Sequence, residues 1–221
     1  MNIFRFIPNT ITLLNGFSGC MALISLFENN YEKTLMWILI GVFLDSIDGL
    51  FARALGISSE IGKQLDSLCD VVSFGLVPGY FMYKFLGGFL LYEFAPLSVL
   101  GFLVTLASIY RLARFNITPS SQLDFQGMPT PAFALFVIGI PFIPYEINPI
   151  IMTVIVALLT VLMVSKIMLP SQKFVNGKPS KFFWIFAVIF IPILLIFRSQ
   201  VLSLTVMSYA VFGILYMRLK A

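Results

Sequence analysis

The stretch from Leu44 to Asp70, LDSIDGLFARALGISSEIGKQLDSLCD, decides how the chain folds. Four aspartates, Asp45, Asp48, Asp66 and Asp70, stand in it at the ends of two long apolar runs. An ionised side chain inside a membrane span is costly and is kept where it has a partner or a task. If both runs are helices, Asp45 and Asp48 lie three residues apart and Asp66 and Asp70 four apart, so each pair shares one face of its helix. The link over residues 54–61 then turns the chain back and brings the two acidic faces together. Four facing carboxylates repel strongly unless cations sit between them. Hard divalent ions that prefer oxygen, Mg²⁺ or Mn²⁺, are the natural filling, and such ions also hold substrate phosphates.

Working outward, the 221 residues are 59% hydrophobic and only 11% charged. A soluble domain carries about 25% charge, so the composition is that of an integral membrane protein. At about 20 residues per span, up to roughly eight crossings fit, with little chain left for a soluble domain. The formal charge of +4 is small and one-sided, and no basic stripe interleaved with aromatics points to nucleic acid. Cys20 and Cys69 fall in apolar runs as inert packing, with no disulfide framework and no zinc spacing. The absence of histidine removes histidine bases and Ser-His or Cys-His dyads, which leaves carboxylate and metal chemistry.

The spacing predicts an all-α polytopic bundle with apolar runs at 9–27, 34–54, 61–84, 96–116, 130–144, 148–168, 181–197 and 200–218. The fifth is short and can pair with the sixth around Pro141, Pro144 and Pro149, so six or seven crossings stand beside eight. Met1 to Ile7 reads as a short interfacial helix ahead of Pro8. A cleaved leader ending at Phe17 to Cys20 is the rival reading. With the amino terminus cytoplasmic and eight crossings, only Lys33, Lys84 and Arg198 of the 14 basic residues fall outside. That orientation puts both termini and the acidic cluster on the cytoplasmic face of the cell membrane. Residues 1–221 read as one domain. Gly75 and Gly79 form a GxxxG step for close helix packing or a dimer contact, and Pro78 is expected to kink the third span.

The neighbours of the acids carry more chemistry. Gly49 and Ala52 leave a groove without side chains beside Asp45 and Asp48, where a flat base or diphosphate can approach the backbone. Arg53 offers a planar guanidinium to phosphate oxygens. Gly62 is again a small residue on an acidic face, four before Asp66, and Ser59 and Glu60 cap the helix ahead of it. A nucleotide diphosphate with bound metal answers this description. Two other readings stand beside it: polar residues that glue helices together, and a cation-coupled carrier with an acidic site.

Asp45, Asp48, Gly49, Ala52, Arg53, Gly62, Asp66 and Asp70 match the signature D-x2-D-G-x2-A-R-x8-G-x3-D-x3-D without a mismatch. In this the chain resembles the CDP-alcohol phosphotransferases. The resemblance implies transfer of a lipid phosphoryl group from a CDP-linked lipid to an alcohol, with release of CMP. It implies that Asp45, Asp48 and Asp66 hold divalent metal, two ions in all, that Asp70 is the catalytic base and also touches a metal, and that the protein is a homodimer among membrane lipids.

Further stretches resemble the type II phosphatidylserine synthases within that family: Pro8-Asn9 with Thr12 and Asn15, then Asp70 to Gly75, Tyr110 to Asn116, and Phe125 to Pro131. They imply L-serine as acceptor and CDP-diacylglycerol or CDP-archaeol as donor. Serine needs a cation for its carboxylate, which Arg111 and Arg114 offer. Asn116, Gln126, Thr130 and Ser73 supply polar contacts. Anchoring beside lipid headgroups is the alternative for the arginines, and a bond to the backbone near Pro78 the alternative for Ser73. Asn9 and Thr12 belong with the nucleotide, or else serve, with Asn15, in helix capping and interhelical hydrogen bonds. The same reaction on glycerol 3-phosphate or an inositol phosphate is the nearest rival, and it calls for a denser basic pocket.

Overall fold

Helix α1 (Phe6–Phe27) turns mostly small and polar residues inward, with Leu26 the large apolar exception, and most of its large apolar ones outward. Thr12, Asn15, Ser18, Ala22 and Ser25 are buried, whereas Leu13, Leu14, Phe17, Ile24 and Phe27 are exposed. Where lipid rather than water surrounds a helix, apolar burial drives nothing, and small or hydrogen-bonding residues mark the packed face. Helix α2 (Tyr31–Ala54) buries Thr34, Gly41 and Asp48 together with Leu35 and Ile38, and exposes Met36, Leu39 and Phe43. The computed structural model describes residues 6–54, 59–90, 92–117, 125–169, 174–175, 178–179 and 202–220. These fall into two units, Met1–Asn116 and Ile117–Ala221.

In the first unit α1 packs along α2 and against α3 (Glu60–Asp70). The turn between α1 and α2 is a Schellman closure on Asn29, which has φ 60°; Asn30 N–H bonds Ser25 O and Asn29 N–H bonds Leu26 O. Lys84 secures it from the side, donating to Leu26 O at 2.9 Å and Asn29 Oδ1 at 2.6 Å. Ser59 caps α3 by accepting from Gly62 N–H at 3.0 Å, as its position before Glu60 implies.

Directly after Asp70 the helix widens into a π segment, Val71–Leu76, before resuming as α4 (Val77–Phe89). Pro78, which carries no N–H for an α-type bond, stands in the first turn of α4 just past this change of helix type. A 3₁₀ stretch (Tyr92–Phe102) then returns along α4 and continues as α5 (Leu103–Ile117). Gly75 and Gly79 face α5: a Cβ on Gly79 would strike Thr105 Oγ1, and one on Gly75 would lie 3.1 Å from Ser108 Cβ. Thr105 Oγ1 donates to Gly75 O at 3.0 Å. The GxxxG step thus serves close packing within the chain.

In the second unit α6 (Thr130–Gly139) runs into a 3₁₀ turn at Ile140–Phe142 and packs on α7 (Pro149–Val164) and α8 (Leu202–Lys220). Ser203 Oγ donates to Phe136 O at 2.8 Å. Strand β1 (Phe125–Gln126) pairs antiparallel with β2 (Met168–Leu169), and β3 (Phe174–Val175) with β4 (Lys178–Pro179). These two-residue ladders are the departure from an all-helical chain that the apolar periodicity does not signal. Gly127, at φ 70°, seats the first ladder: a Cβ there would lie 2.9 Å from Leu162 O.

The protein is an integral membrane helical bundle. Among the described residues four helices are long and apolar enough to cross a membrane, Pro8–Phe27, Tyr31–Phe51, Glu60–Phe89 and Phe94–Ile117, matching the first four expected runs. Thr130–Phe142, Pro149–Val164 and Leu202–Met217 are shorter apolar helices at the fifth, sixth and eighth. The seventh run, 181–197, lies outside the described residues, as do residues 1–5 of the expected interfacial helix.

Gly101 presses on α4, where a Cβ would lie 2.6 Å from Met82 C and 2.8 Å from Tyr83 Cα. Backbone cannot rotate aside, so Gly101→Ala is expected to destabilise by about 1–3 kcal/mol. Gly88→Ala, with no atom of the described residues within 4 Å of the new methyl, should be neutral or slightly stabilising. Thermal unfolding in detergent checks the pair.

Candidate active site

Three chain segments meet at one end of the first unit: the start of α1, the end of α2 and the start of α3. Asp45, Asp48 and Asp66 each bring a carboxylate oxygen there, and these oxygens lie within 4.8 Å of one another. Asp48 is buried, and Asp45 and Asp66 are half-buried. At an effective dielectric of about 20, two charges this close repel by at least about 3 kcal/mol. Three hard oxygen donors gathered so tightly fit a divalent cation of the Mg²⁺ or Mn²⁺ type.

Helix α1 supplies the neutral groups around this trio. Thr12 Oγ1 lies 2.6 Å from Asp48 Oδ2 and 3.0 Å from Pro8 O. The hydroxyl has one proton, and the shorter contact is the length of a bond donated to a charged carboxylate. Asp70 stands outside the trio and is 6% exposed, and Asn15 Nδ2 donates to its Oδ1 at 3.1 Å. Gly62 sits where α1 and the α3 cap converge, since a Cβ would lie 3.1 Å from Asn9 Oδ1 and 2.9 Å from Ser59 Oγ. At Gly49 a Cβ would meet no atom of the described residues within 4 Å, which leaves open space among them beside the carboxylates of α2. The side chains of Ala52 and Arg53 lie outside the described residues.

The residues expected to hold serine divide between the two units. In the first, Arg111 is buried at 5% exposure, while Arg114 lies half-buried with its guanidinium 6.0 Å from the centre of the Tyr110 ring. Asn116 Nδ2 donates to Ser67 Oγ at 2.8 Å, and Lys63 Nζ donates to Asn116 O, which ties the end of α5 to the helix that carries Asp66. Ser73, fully buried, donates to Asn15 O at 2.9 Å across the α1 interface and not to the backbone near Pro78. Gln126 in β1 and the buried Thr130 at the start of α6 belong to the second unit.

Sequence reasoning missed Ser18, Lys63 and Ser67. Ser18 Oγ donates to Asn15 O at 2.7 Å, which makes that carbonyl the acceptor of two hydroxyls. The available signal was spacing: Ser18 falls three after Asn15, and Ser67 beside Asp66.

Thr12→Val removes the donor to Asp48 at nearly constant volume. Divalent-cation affinity, read by titrating Mn²⁺ into the purified protein, is expected to fall roughly tenfold. An unchanged titration would show that the hydroxyl has no part in the trio's cation affinity.

Comparison with known proteins places the chain in a family. A model of the CDP-alcohol phosphatidyltransferase family matches residues 5–164. The chain is 35% identical over 170 residues to a CDP-diacylglycerol–serine O-phosphatidyltransferase of Bacillus subtilis (strain 168), covering 76% of this chain and 92% of that one. It is 30% identical over 220 residues to the Helicobacter pylori (strain ATCC 700392 / 26695) protein of the same name, covering 94% and 89%. An archaetidylserine synthase of Methanothermobacter thermautotrophicus is 32% identical over 132 residues, covering 58% of this chain and 54% of its own. The carrier and polar-glue readings of the acidic cluster fall with these matches, because both α2 and α3 lie inside the matched region. A match across most of its length, acidic helices included, makes the chain a member of the CDP-alcohol phosphatidyltransferase family.

Proposed function

We propose that the protein transfers the phosphatidyl or archaetidyl group of a CDP-linked lipid to the hydroxyl of L-serine, with residues 1–221 acting as one domain. The observation that carries this reading is the close set of three carboxylate oxygens beside the open space at Gly49. The names and coverage of the relatives support serine as acceptor. The donor lipid is CDP-diacylglycerol or CDP-archaeol.

Asp45, Asp48 and Asp66 would hold divalent cation, Mg²⁺ or Mn²⁺, as two ions when the diphosphate is bound. When bound, the metal offsets charge on the diphosphate and on the departing CMP. The remaining work belongs to side chains. Gly49, Ala52 and Gly62 leave room for the cytidine and diphosphate, with Arg53, Asn9 and Thr12 beside them. Arg111 and Arg114 of the first unit pair with the serine carboxylate, and Gln126 and Thr130 are the polar candidates of the second unit. The Asn116 amide and the Ser73 hydroxyl are engaged with Ser67 Oγ and Asn15 O and hold helices together instead. The serine oxygen forms a bond to the lipid phosphorus, the bond from that phosphorus to the bridging oxygen breaks, and CMP leaves with that oxygen. Asp70 accepts the hydroxyl proton. Its place outside the trio supports that role, because an acceptor alcohol approaches from beyond the diphosphate.

The basic loops support cytoplasmic termini and a cytoplasm-facing site. Homodimerisation belongs to the same proposal.

Purified protein supplied with CDP-diacylglycerol and Mn²⁺ should release CMP with L-serine. Release with glycerol 3-phosphate or inositol phosphate alone would overturn the acceptor assignment. Asp70→Asn should lower kcat by about 10²- to 10⁴-fold with CDP-lipid binding retained, and wild-type turnover would remove Asp70 as base. Arg111→Ala is expected to raise the KM for serine roughly tenfold or more and to leave that for CDP-lipid in place. Equal rises in both would assign the arginine to general packing.

A further inference from the structure

We infer that Asn15 is the positioning residue for Asp70: its Nδ2–H fixes one carboxylate oxygen so that the other is presented to the acceptor hydroxyl. This rests on the reading of Asp70 as proton acceptor.

Asn15 is completely buried in the middle of α1, and its amide nitrogen stands 3.1 Å from Asp70 Oδ1. A carboxylate at the junction of an α-helix and a π segment can rotate about its side-chain bonds, towards or away from the neighbouring aspartates. One fixed oxygen removes that freedom. The backbone that carries the amide is anchored, because the Asn15 carbonyl takes the Ser18 hydroxyl at 2.7 Å and the Ser73 hydroxyl at 2.9 Å.

Small residues set the approach of the two helices on either side. A Cβ on Gly16 would lie 2.8 Å from Cys69 Sγ, and one on Gly19 would lie 2.7 Å from Ser73 Cα. Cys69 and Ser73 bracket Asp70 in the chain. The spacing between the Asn15 amide and the Asp70 carboxylate is therefore set by hard contacts above and below it. Gly41 of α2 makes room on the far side, where a Cβ would lie 3.1 Å from Asn15 Oδ1.

A packing role alone does not account for the amide. Its Oδ1 is buried with no hydrogen-bond partner among the described residues, a loss of about 1–3 kcal/mol that a serine or alanine would avoid. What the amide offers in return is a neutral donor. It orients the carboxylate without the positive charge that would weaken it as a base.

The test uses the full-length protein with Asn15→Ala, and with Asn15→Leu, which keeps the volume and removes the donor. Turnover with serine should fall roughly ten- to a hundredfold, while the KM for CDP-lipid and the Mn²⁺ titration stay unchanged. Added to Asp70→Asn, Asn15→Ala should cause no further loss. Ser18→Ala, which takes one hydroxyl from the Asn15 carbonyl, is the milder variant should the others not accumulate. It should lower kcat severalfold with the same unmoved KM. Wild-type kcat in the variants that accumulate, or parallel loss of lipid and metal binding, overturns the inference. If Asp70→Asn is inactive and Asn15→Leu fully active, the positioning role fails alone. If Asp70→Asn keeps its turnover, the base reading fails and the positioning role with it.

Discussion

Asp45 and Asp48 of α2 face Asp66 of α3 across less than 5 Å, at the end of helices whose outer surfaces are apolar. Such a concentration of negative oxygen opposes the packing of the helices that carry it. The fold offsets this with contacts that bring backbones very close elsewhere. Gly16, Gly19 and Gly41 let α1 press against both acidic helices, and Thr12 and Asn15 place neutral donors against two of the acids. In this sense α1, which carries no acidic or basic residue among its positions, is the element on which the acidic site is assembled.

The far end of the same unit is held by different means. There Lys84 grips the exposed carbonyl end of α1 and the Asn29 side chain, and Tyr80 stacks with Tyr83 and with Phe27 of the turn. A cation at a helix C-terminus is favoured by the helix dipole as well as by the hydrogen bonds. One end of the bundle is thus closed by aromatic and cationic contacts, and the other keeps open space beside Gly49. A site that takes a large lipid-linked nucleotide needs that asymmetry.

Much of this was legible in the sequence, and what was not has a physical reason. The first four spans could be read because an apolar run of span length with few charges is what a bilayer crossing requires and what a water-exposed helix lacks. The meeting of the α2 and α3 acids followed from their spacing, although each of these helices packs on α1. The partners of α1 could not be read, because Thr12 meets Asp48 from 36 residues away and Asn15 meets Asp70 from 55 away, distances that local periodicity does not span. Pro78 announced a disturbance in the third span, but nothing in the local sequence marks the π segment at Val71–Leu76. Asn116 read as a polar group for substrate, and its amide is engaged with Ser67. The ladder of Phe125–Gln126 with Met168–Leu169 joins segments about forty residues apart and is too short to leave a strand pattern.

The most direct measurement is anomalous scattering from Mn²⁺ in crystals grown with a non-transferable CDP-lipid analogue. The expected result is manganese density bounded by carboxylate oxygens of Asp45, Asp48 and Asp66 and by both phosphates of the analogue. Manganese absent from those three side chains, with the diphosphate bound elsewhere, would contradict the central claim that the acids are gathered to hold metal on a nucleotide diphosphate.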